Sequence, residues 1–456
     1  MATTYLSRTS GAPTSAKKFT LSGWFKLNYS GTNTMQFFQT FHDISNREHL
    51  YFDDNKLKMY GVDGGSAAFN LVTNRLFTDI NSYYHIVIAC DTTQATASNR
   101  IKMYINGVQE TSFSTETYPA QDFTFRLNTN SQSLVIGRYM GSNDYYYDGI
   151  ISHLHFIDGT QYAASDFGST DSTTGEWKIN TSPSLTYGNN GFFILKDGNT
   201  ITDQSSNTNN WTLTAGTLTK SEDNPSNIFC TGNPLARFSS NINYANGNNH
   251  ITGSGNNWSM GAGTMGASSG KYYFECKILS AGTGSGYTKI GFVSDIGISP
   301  GATGGHPAET VLDGGYAFYQ QNGNLEVRTD SAVISGYSNS DLGIALTNND
   351  IMCLAVDMDN KKAYFRKNGD AWIKSANPVT GTNGLDISSD YPAGSTKMMI
   401  PAWGIYYPGT AALNFGNGYF GTTAVSSAGT NASNLGIFEF DVPTGYTALC
   451  TKGLNE

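Results

Sequence analysis

Apolar and polar residues alternate with period two over most of the chain. FTLSGWFKL (19–27), MQFFQTFH (35–42), HLYFD (49–53), YYHIVIACD (83–91), IKMYI (101–105) and SLVIGRY (133–139) are rich in β-branched and aromatic residues. Asn, Gly, Asp and Ser bound them, as expected of half-buried strands. The pattern returns in KYYFECKIL (271–279), YTKIGFVS (287–294), GYAFYQ (315–320), NLEVRT (324–329), DIMCLAVD (350–357), KAYFRK (362–367), MMIPAWG (398–404) and ALNFG (412–416). Helical period is almost absent; one short helix or turn fits residues 162–167. Many short strands with frequent turn signals predict an all-β chain of sandwiches or barrels.

Two stretches share one plan. HIVIACDTTQATASNRIKMYINGVQ (85–109) and DIMCLAVDMDNKKAYFRKNGDAW (350–372) each run from an apolar strand ending in Asp, through a polar turn, to a strand carrying Tyr104 or Tyr364. Each then reaches Asn-Gly, a pair suited to the positive φ values of a type I′ turn. This predicts two sandwiches of related architecture, by duplication or convergence. Between them residues 197–227 are polar, with an isolated strand at 211–214. The boundary is expected near residue 225, with a second sandwich over 226–449 and a tail over 450–456. The glycine-rich run 241–270 reads as an exposed loop system at the entrance to that second sandwich.

Composition narrows the class. Charged residues are 14% of the 456, against about 25% in an average globular protein. With 13% aromatics and 51 glycines, this suits short strands and tight turns and excludes disorder or a coiled coil. The net charge of -9 makes nucleic acid and acidic membrane surfaces poor partners. The N-terminal MATTYLSRTSGAPTSAKKF has no apolar h-region, so no signal peptide is expected. No stretch approaches the ~18 apolar residues of a membrane span. Cys90, Cys230, Cys276, Cys353 and Cys450 form no CxxC pair and read as small buried hydrophobes in a reducing compartment.

The first half resembles laminin-G-like, concanavalin-type lectin domains. The carriers are FTLSGWFKL, YYHIVIACD, IKMYINGVQ, LVIGRY and GIISHLHFIDG (149–159), in that order. The second half resembles a SPRY domain through GKYYFECKI (270–278), KIGFVS (289–294), GGYAFY (314–319), NDIMCLAVDMDNKKAYFRKNG (349–369) and MMIPAWG. The pairing is similar to structural proteins of bacteriophages, marine ones especially. HFIDGTQYAASDFGSTDSTTGEWKI (155–179), NNWTLTAGTLTKSEDNPSNIFCTGNPL (209–235) and FDVPTGYTALCTKGLNE (440–456) carry that likeness. The resemblance implies two tandem concanavalin-like jelly rolls in a virion protein of tail-fibre or spike type, assembled in the host cytoplasm. Its implied partners are other virion proteins and a host-surface glycan or protein. A homotrimer is the fibre-like expectation, with no heptad repeat behind it.

Catalysis has one candidate. Concanavalin-like glucanases place three carboxylates on a Glu-x-Asp-x-x-Glu strand, and retaining hydrolysis needs such a pair. Here Glu439-Phe440-Asp441-Val442-Pro443-Thr444 lacks the third carboxylate, so a non-enzymatic protein is expected. His153-Leu154-His155 offers two imidazoles to zinc if a third such as His85 arrives; both lying on an outer sheet face is the plainer expectation. Asp53-Asp54-Asn55 and Asn143-Asp144 supply oxygen ligands of calcium type, though Asx-rich turns need no metal. No cofactor is otherwise implied. Asp166-Phe167-Gly168 has no other kinase element around it.

The ligand-binding candidates are aromatic. Asn143, Asp144, Tyr145, Tyr146 and Tyr147 form a loop before the closing strand, where tyrosine faces stack on sugar rings and Asn and Asp bond hydroxyls. Trp258, Trp372, Tyr406 and Tyr407 fall at loop-like positions of the second half, where the SPRY resemblance implies partner binding. The same aromatics suit a subunit interface, so a capsid decoration or head-fibre protein is the alternative. A glycan-degrading enzyme is a further one.

Overall fold

The computed structural model describes residues 4–28, 33–142, 145–196, 200–237, 242–254, 258–280, 288–294, 315–321, 324–329, 332–406 and 408–455. The chain divides into two units, residues 1–220 and 221–456. Each is a two-sheet jelly-roll sandwich whose strands follow the period-two segments. Among the described residues no helix is long and apolar enough to cross a membrane.

In the first unit one sheet has eight strands, in the order Phe113–Thr117, Ser66–Thr73, Lys56–Asp63, Asn46–Asp53, Met35–Asp43, Ser133–Ile136, Tyr5–Thr9 and Thr212–Ala215. The other has six, in the order Phe192–Ile194, Gly149–Asp158, Lys18–Leu27, Tyr84–Asp91, Ile101–Ile105 and Val108–Glu110. Phe19, Leu21 and Phe25 from one sheet meet Phe38, Leu50, Phe52 and Phe69 from the other in a single core. The polar stretch before residue 225 belongs to the first unit, and its strand is not isolated. Trp211 is buried in that core, and Thr212–Ala215 pairs with Tyr5–Thr9.

The second unit has a seven-stranded sheet, in the order Gly232–Arg237, Trp258–Gly263, Met399–Tyr406, Thr288–Ser294, Tyr316–Gln321, Asn324–Thr329 and Ala332–Val333. It faces an eight-stranded one built on Ile242–Ala245, His250–Gly253, Thr410–Asn414, Lys271–Ser280, Ile351–Asp357, Lys362–Lys367 and Leu385–Asp386. Thr447–Ala448 adds in parallel beside Lys271–Ser280. Phe274, Phe292, Phe318, Leu354, Trp403 and Leu413 fill the core. The glycine-rich run is therefore not an exposed loop system: it supplies three strands with Ile242, Ile251 and Ser259 buried.

The two Asn-Gly turns are built alike. Asn106 and Asn368 take φ values of 48° and 47°, with Gly107 and Gly369 at 81° and 75°. The Asn106 side chain accepts from His85 N–H at 2.8 Å, and Asn368 accepts from Ile351 N–H at 2.7 Å.

Both units also roof one outer sheet face. In the first, residues 160–190 lie over the six-stranded sheet, burying Val87 and Ile157 beneath Ala164 and Phe167, with Trp177, Leu185 and Tyr187 packed against them. In the second, Phe438, Val442 and Tyr446 cover Tyr273, Cys353 and Ala355. All five cysteines are buried and none forms a disulfide.

Candidate functional site

Among the described residues no separate segment roofs the outer face of the first unit's eight-stranded sheet, although His49 and its cross-strand partner Gln39 are buried on it. Strand alternation sends Leu50 and Phe52 inward, so Arg47, His49, Tyr51 and Asp53 point out. On the next strand Leu57 and Met59 point in, leaving Lys56, Lys58 and Tyr60 outside. Register places His49 opposite Tyr60 and Tyr51 opposite Lys58. The His49 ring lies 6.2 Å from Tyr51, 6.3 Å from Tyr60 and 5.1 Å from Tyr139. Tyr139 continues the surface to Phe41 at 5.7 Å and Tyr145 at 6.1 Å. The rings form one aromatic platform.

Charges frame it. The Arg47 guanidinium sits 5.7 Å over the Tyr60 ring, and Lys58 6.0 Å over Tyr51. Lys58 also pairs with Asp53 at 2.5 Å. Arg138 stacks between Tyr5 at 5.0 Å and Tyr146 at 5.6 Å. Burial, aided by Arg47, pulls the His49 imidazole down to about 3. Burial pushes the Tyr51 hydroxyl up to about 12, helped by Asp53. Both rings are therefore neutral across the ordinary pH range. His49 is itself buried, so the accessible ring surface is that of the half-buried Tyr51, Tyr60 and Tyr139 and the exposed Tyr145, with hydrogen-bonding groups at the edges.

The sequence candidates distribute unevenly over this geometry. Tyr145 has a left-handed φ of 64° and is 48% exposed. Tyr146 is half-buried against Arg138. Tyr147 is not a ligand residue: it is buried in the core, and its hydroxyl donates to Lys26 O at 3.1 Å. Asn143, Asp144 and Tyr407 lie outside the described residues. Trp258 and Tyr406 are not in loops. They open and close paired strands in direct register, 5.6 Å apart, with Lys289 4.3 Å over the Trp258 ring. Trp372 is half-buried, stacked by Arg366 at 4.6 Å beside the second unit's roof.

Tyr51, Tyr60 and Tyr139 were not among those candidates. Their signal was available: Tyr51 and Tyr60 occupy the non-core phase of two alternating strands, where polar side chains are the rule.

The other chemistries resolve into structural roles. Glu439 accepts from Ser426 N–H at 2.8 Å and Asp441 from Thr430 N–H at 2.7 Å, so both brace loops rather than share a strand. His153 and His155 are buried, not on an open face: both rings pack on Phe193, across a bulge at Ser152–His155. His155 Nδ1 bonds the Tyr187 hydroxyl at 2.8 Å. His85 accepts at Nδ1 from the Trp177 indole N–H at 3.0 Å, which leaves its Nε2–H to donate to Ser22 at 2.9 Å. With those nitrogens occupied, the set does not fit zinc. Nor does Asp53 fit calcium, because Lys58 and Thr34 hold its two oxygens. Among the described residues no three His, Cys, Asp or Glu side chains are grouped to hold a metal ion.

Residues 2–164 match the Laminin_G_3 family, described as the concanavalin A-like lectin/glucanases superfamily. Among solved structures, the SPRY domain of human HERC1 is 16% identical with a TM-score of 0.28, over 40% of this chain and 96% of that one. Another human SPRY domain is 17% identical with a TM-score of 0.25, over 38% and 94%. A heptameric SAP-like pentraxin from Limulus polyphemus is 16% identical with a TM-score of 0.26, over 35% and 72%. No curated protein matches the chain.

Proposed function

We propose that the chain is a non-enzymatic attachment protein that holds a surface glycan on the aromatic platform of its first sandwich. The carrying observation is the run of half-buried Tyr60, Tyr51 and Tyr139 rings and the exposed Tyr145 ring around the buried His49 on the outer face of the eight-stranded sheet. Pyranose rings present flat C–H faces that pack on tyrosine, while their hydroxyls reach polar edges. The lectin/glucanase description of residues 2–164 supports this reading. Hydrolysis would need a pair of carboxylates across the scissile bond; the platform's Asp53 is committed to Lys58. A shallow face binds weakly per site, and display in many copies would raise avidity. The phage-like stretches favour a virion of tail-fibre or spike type as the carrier.

A second reading rests on Trp258, Tyr406 and Lys289 at the outer face of the second unit's seven-stranded sheet. Half-buried aromatics beside a cation also suit contact with another virion subunit, as in a capsid decoration protein.

Immunogold labelling of purified particles separates the two. Gold at tail or fibre tips is the expected result. Gold spread evenly over the capsid would favour decoration, and particles without gold would overturn the virion reading. Incubation with polysaccharide is expected to release no reducing ends; their release would overturn the non-enzymatic reading.

A further inference from the structure

The charges around the platform select among glycans. Arg47 stands between Phe41 and Val62 on the neighbouring strands, so neither directly opposed residue supplies a counter-charge. Its guanidinium lies on Tyr60, and among the described residues it forms no ion pair. Four register pairs beyond the His49–Tyr60 pair, Lys56 stands opposite Asp53, whose carboxylate is already taken by Lys58 and Thr34. Asp43, the acid nearest Arg47 in the turn, is capped by Ser45 N–H and the Asn46 amide. Arg126 is neutralised by Asp63. Counted at its outward positions, the strip formed by the two central strands carries Arg47, Lys56 and Lys58 against Asp53, a net charge of +2, with Asp54 exposed in the turn between the strands and Asp63 paired with Arg126, on a chain whose total is -9.

We infer that the platform's ligand is an acidic glycan, one whose sugar carboxylates meet Arg47 and Lys56 while its rings lie on Tyr60 and Tyr51. This rests on the attachment reading above. A guanidinium takes a carboxylate bidentately. At about 3.4 Å per residue, Arg47 and Asp53, which faces Lys56, stand about 20 Å apart along the strand. That span suits an oligosaccharide rather than a single sugar. The surrounding negative charge adds selectivity, since it repels acids from the surface outside the strip.

The test is calorimetry on the full chain with acidic oligosaccharides and with their methyl esters, which keep the sugar rings and lose the charge. Oligogalacturonate, oligomannuronate and sialyllactose serve as probes. At least one acid is expected to bind tenfold or more tightly than its ester. The Arg47→Gln/Lys56→Gln double variant should lose that preference while keeping its affinity for the ester, and added salt should weaken only the wild-type complex with the acid. Equal binding of acid and ester would overturn the acidic class and leave the platform standing. Binding of neither acids nor esters, together with silence toward neutral glycans, would overturn the platform as well. An acid preference that survives the double variant would place the charge recognition elsewhere.

Discussion

Acidification is expected to lift residues 160–190 off the first unit well before its core unfolds. The roof is pinned by two neutral imidazoles. His85 must accept from the Trp177 indole, a group that only donates, so a second ring proton would set two donors against each other. Burial pulls the folded His85 pKa down from 6.5 to about 3, and it lowers His155 well below its ordinary value, with His153, His85 and Lys196 adding repulsion. The sign follows from linkage. A histidine depressed in the folded state contributes its full stability above pH 6.5 and loses it as pH falls toward 3. For His85 that amounts to about 2 kcal/mol by pH 5 and about 4 kcal/mol near pH 3. Glu48, buried in the opposite sheet and pushed up to about 7 by desolvation, favours the folded core in acid and does not touch the roof. Local opening should therefore precede global unfolding. Acrylamide quenching of Trp177, taken as the difference between wild type and Trp177→Phe, should rise between pH 6 and 4. His85→Gln can still accept from the indole and donate to Ser22 without titrating, so its midpoint should fall by about one pH unit or more. An unchanged midpoint would remove His85 from the latch.

Replacing Glu275 by Ala is expected to destabilise the second unit by about 3–5 kcal/mol. Four donors converge on this buried carboxylate: the Tyr273 hydroxyl at 2.9 Å, Phe440 N–H at 3.0 Å, Glu439 N–H at 3.0 Å and the Asn414 amide at 3.2 Å. Two belong to the roof, so the carboxylate ties the segment carrying Phe438 to the sheet. Truncation strips the carboxylate from all four, with only the Asn414 amide keeping another acceptor, Ile437 O. Burial outweighs these donors and pushes Glu275 up to about 7. A raised carboxyl contributes stability that is fully present below about pH 4.5 and is lost as pH rises through 7, the opposite sense to the imidazoles. Urea titrations at pH 5 and pH 8 should show the second unit weaker at pH 8, with Glu275→Gln flattening the difference. Stability of the second unit unchanged in Glu275→Ala would mean the roof is held by packing alone.

Much of the fold was legible because period two is a direct imprint of a sheet with one wet face. Lys18–Leu27, Ile101–Ile105, Asn324–Thr329 and Lys362–Lys367 fall where alternation and β-branched content place them. Lys56–Asp63 and Ser66–Thr73 escaped notice because Lys, Gly, Ala and Asn interrupt their apolar phase. The roofs were illegible for another reason. A segment such as 160–190 has no period, since its few anchors, Trp177 and Tyr187 among them, each fill one gap in a distant surface. The bulge at His153, with its φ of 48°, likewise needs the tertiary partner Leu195 O to explain it. Loop position was a poor guide to the site. Tyr147 entered the core, while Tyr51 and Tyr60 stayed outside because their hairpin register put them on the outer face of the sheet.

The most direct test is saturation-transfer NMR between the full chain and a glycan it retains, repeated with Tyr51→Ala/Tyr60→Ala. Each lost ring face should cost about tenfold in affinity. Sugar ring protons should receive saturation from the wild-type protein, and the signal should collapse in the double variant while Trp258→Ala leaves it intact. Undiminished transfer in the double variant would contradict a glycan site on the first unit's aromatic face.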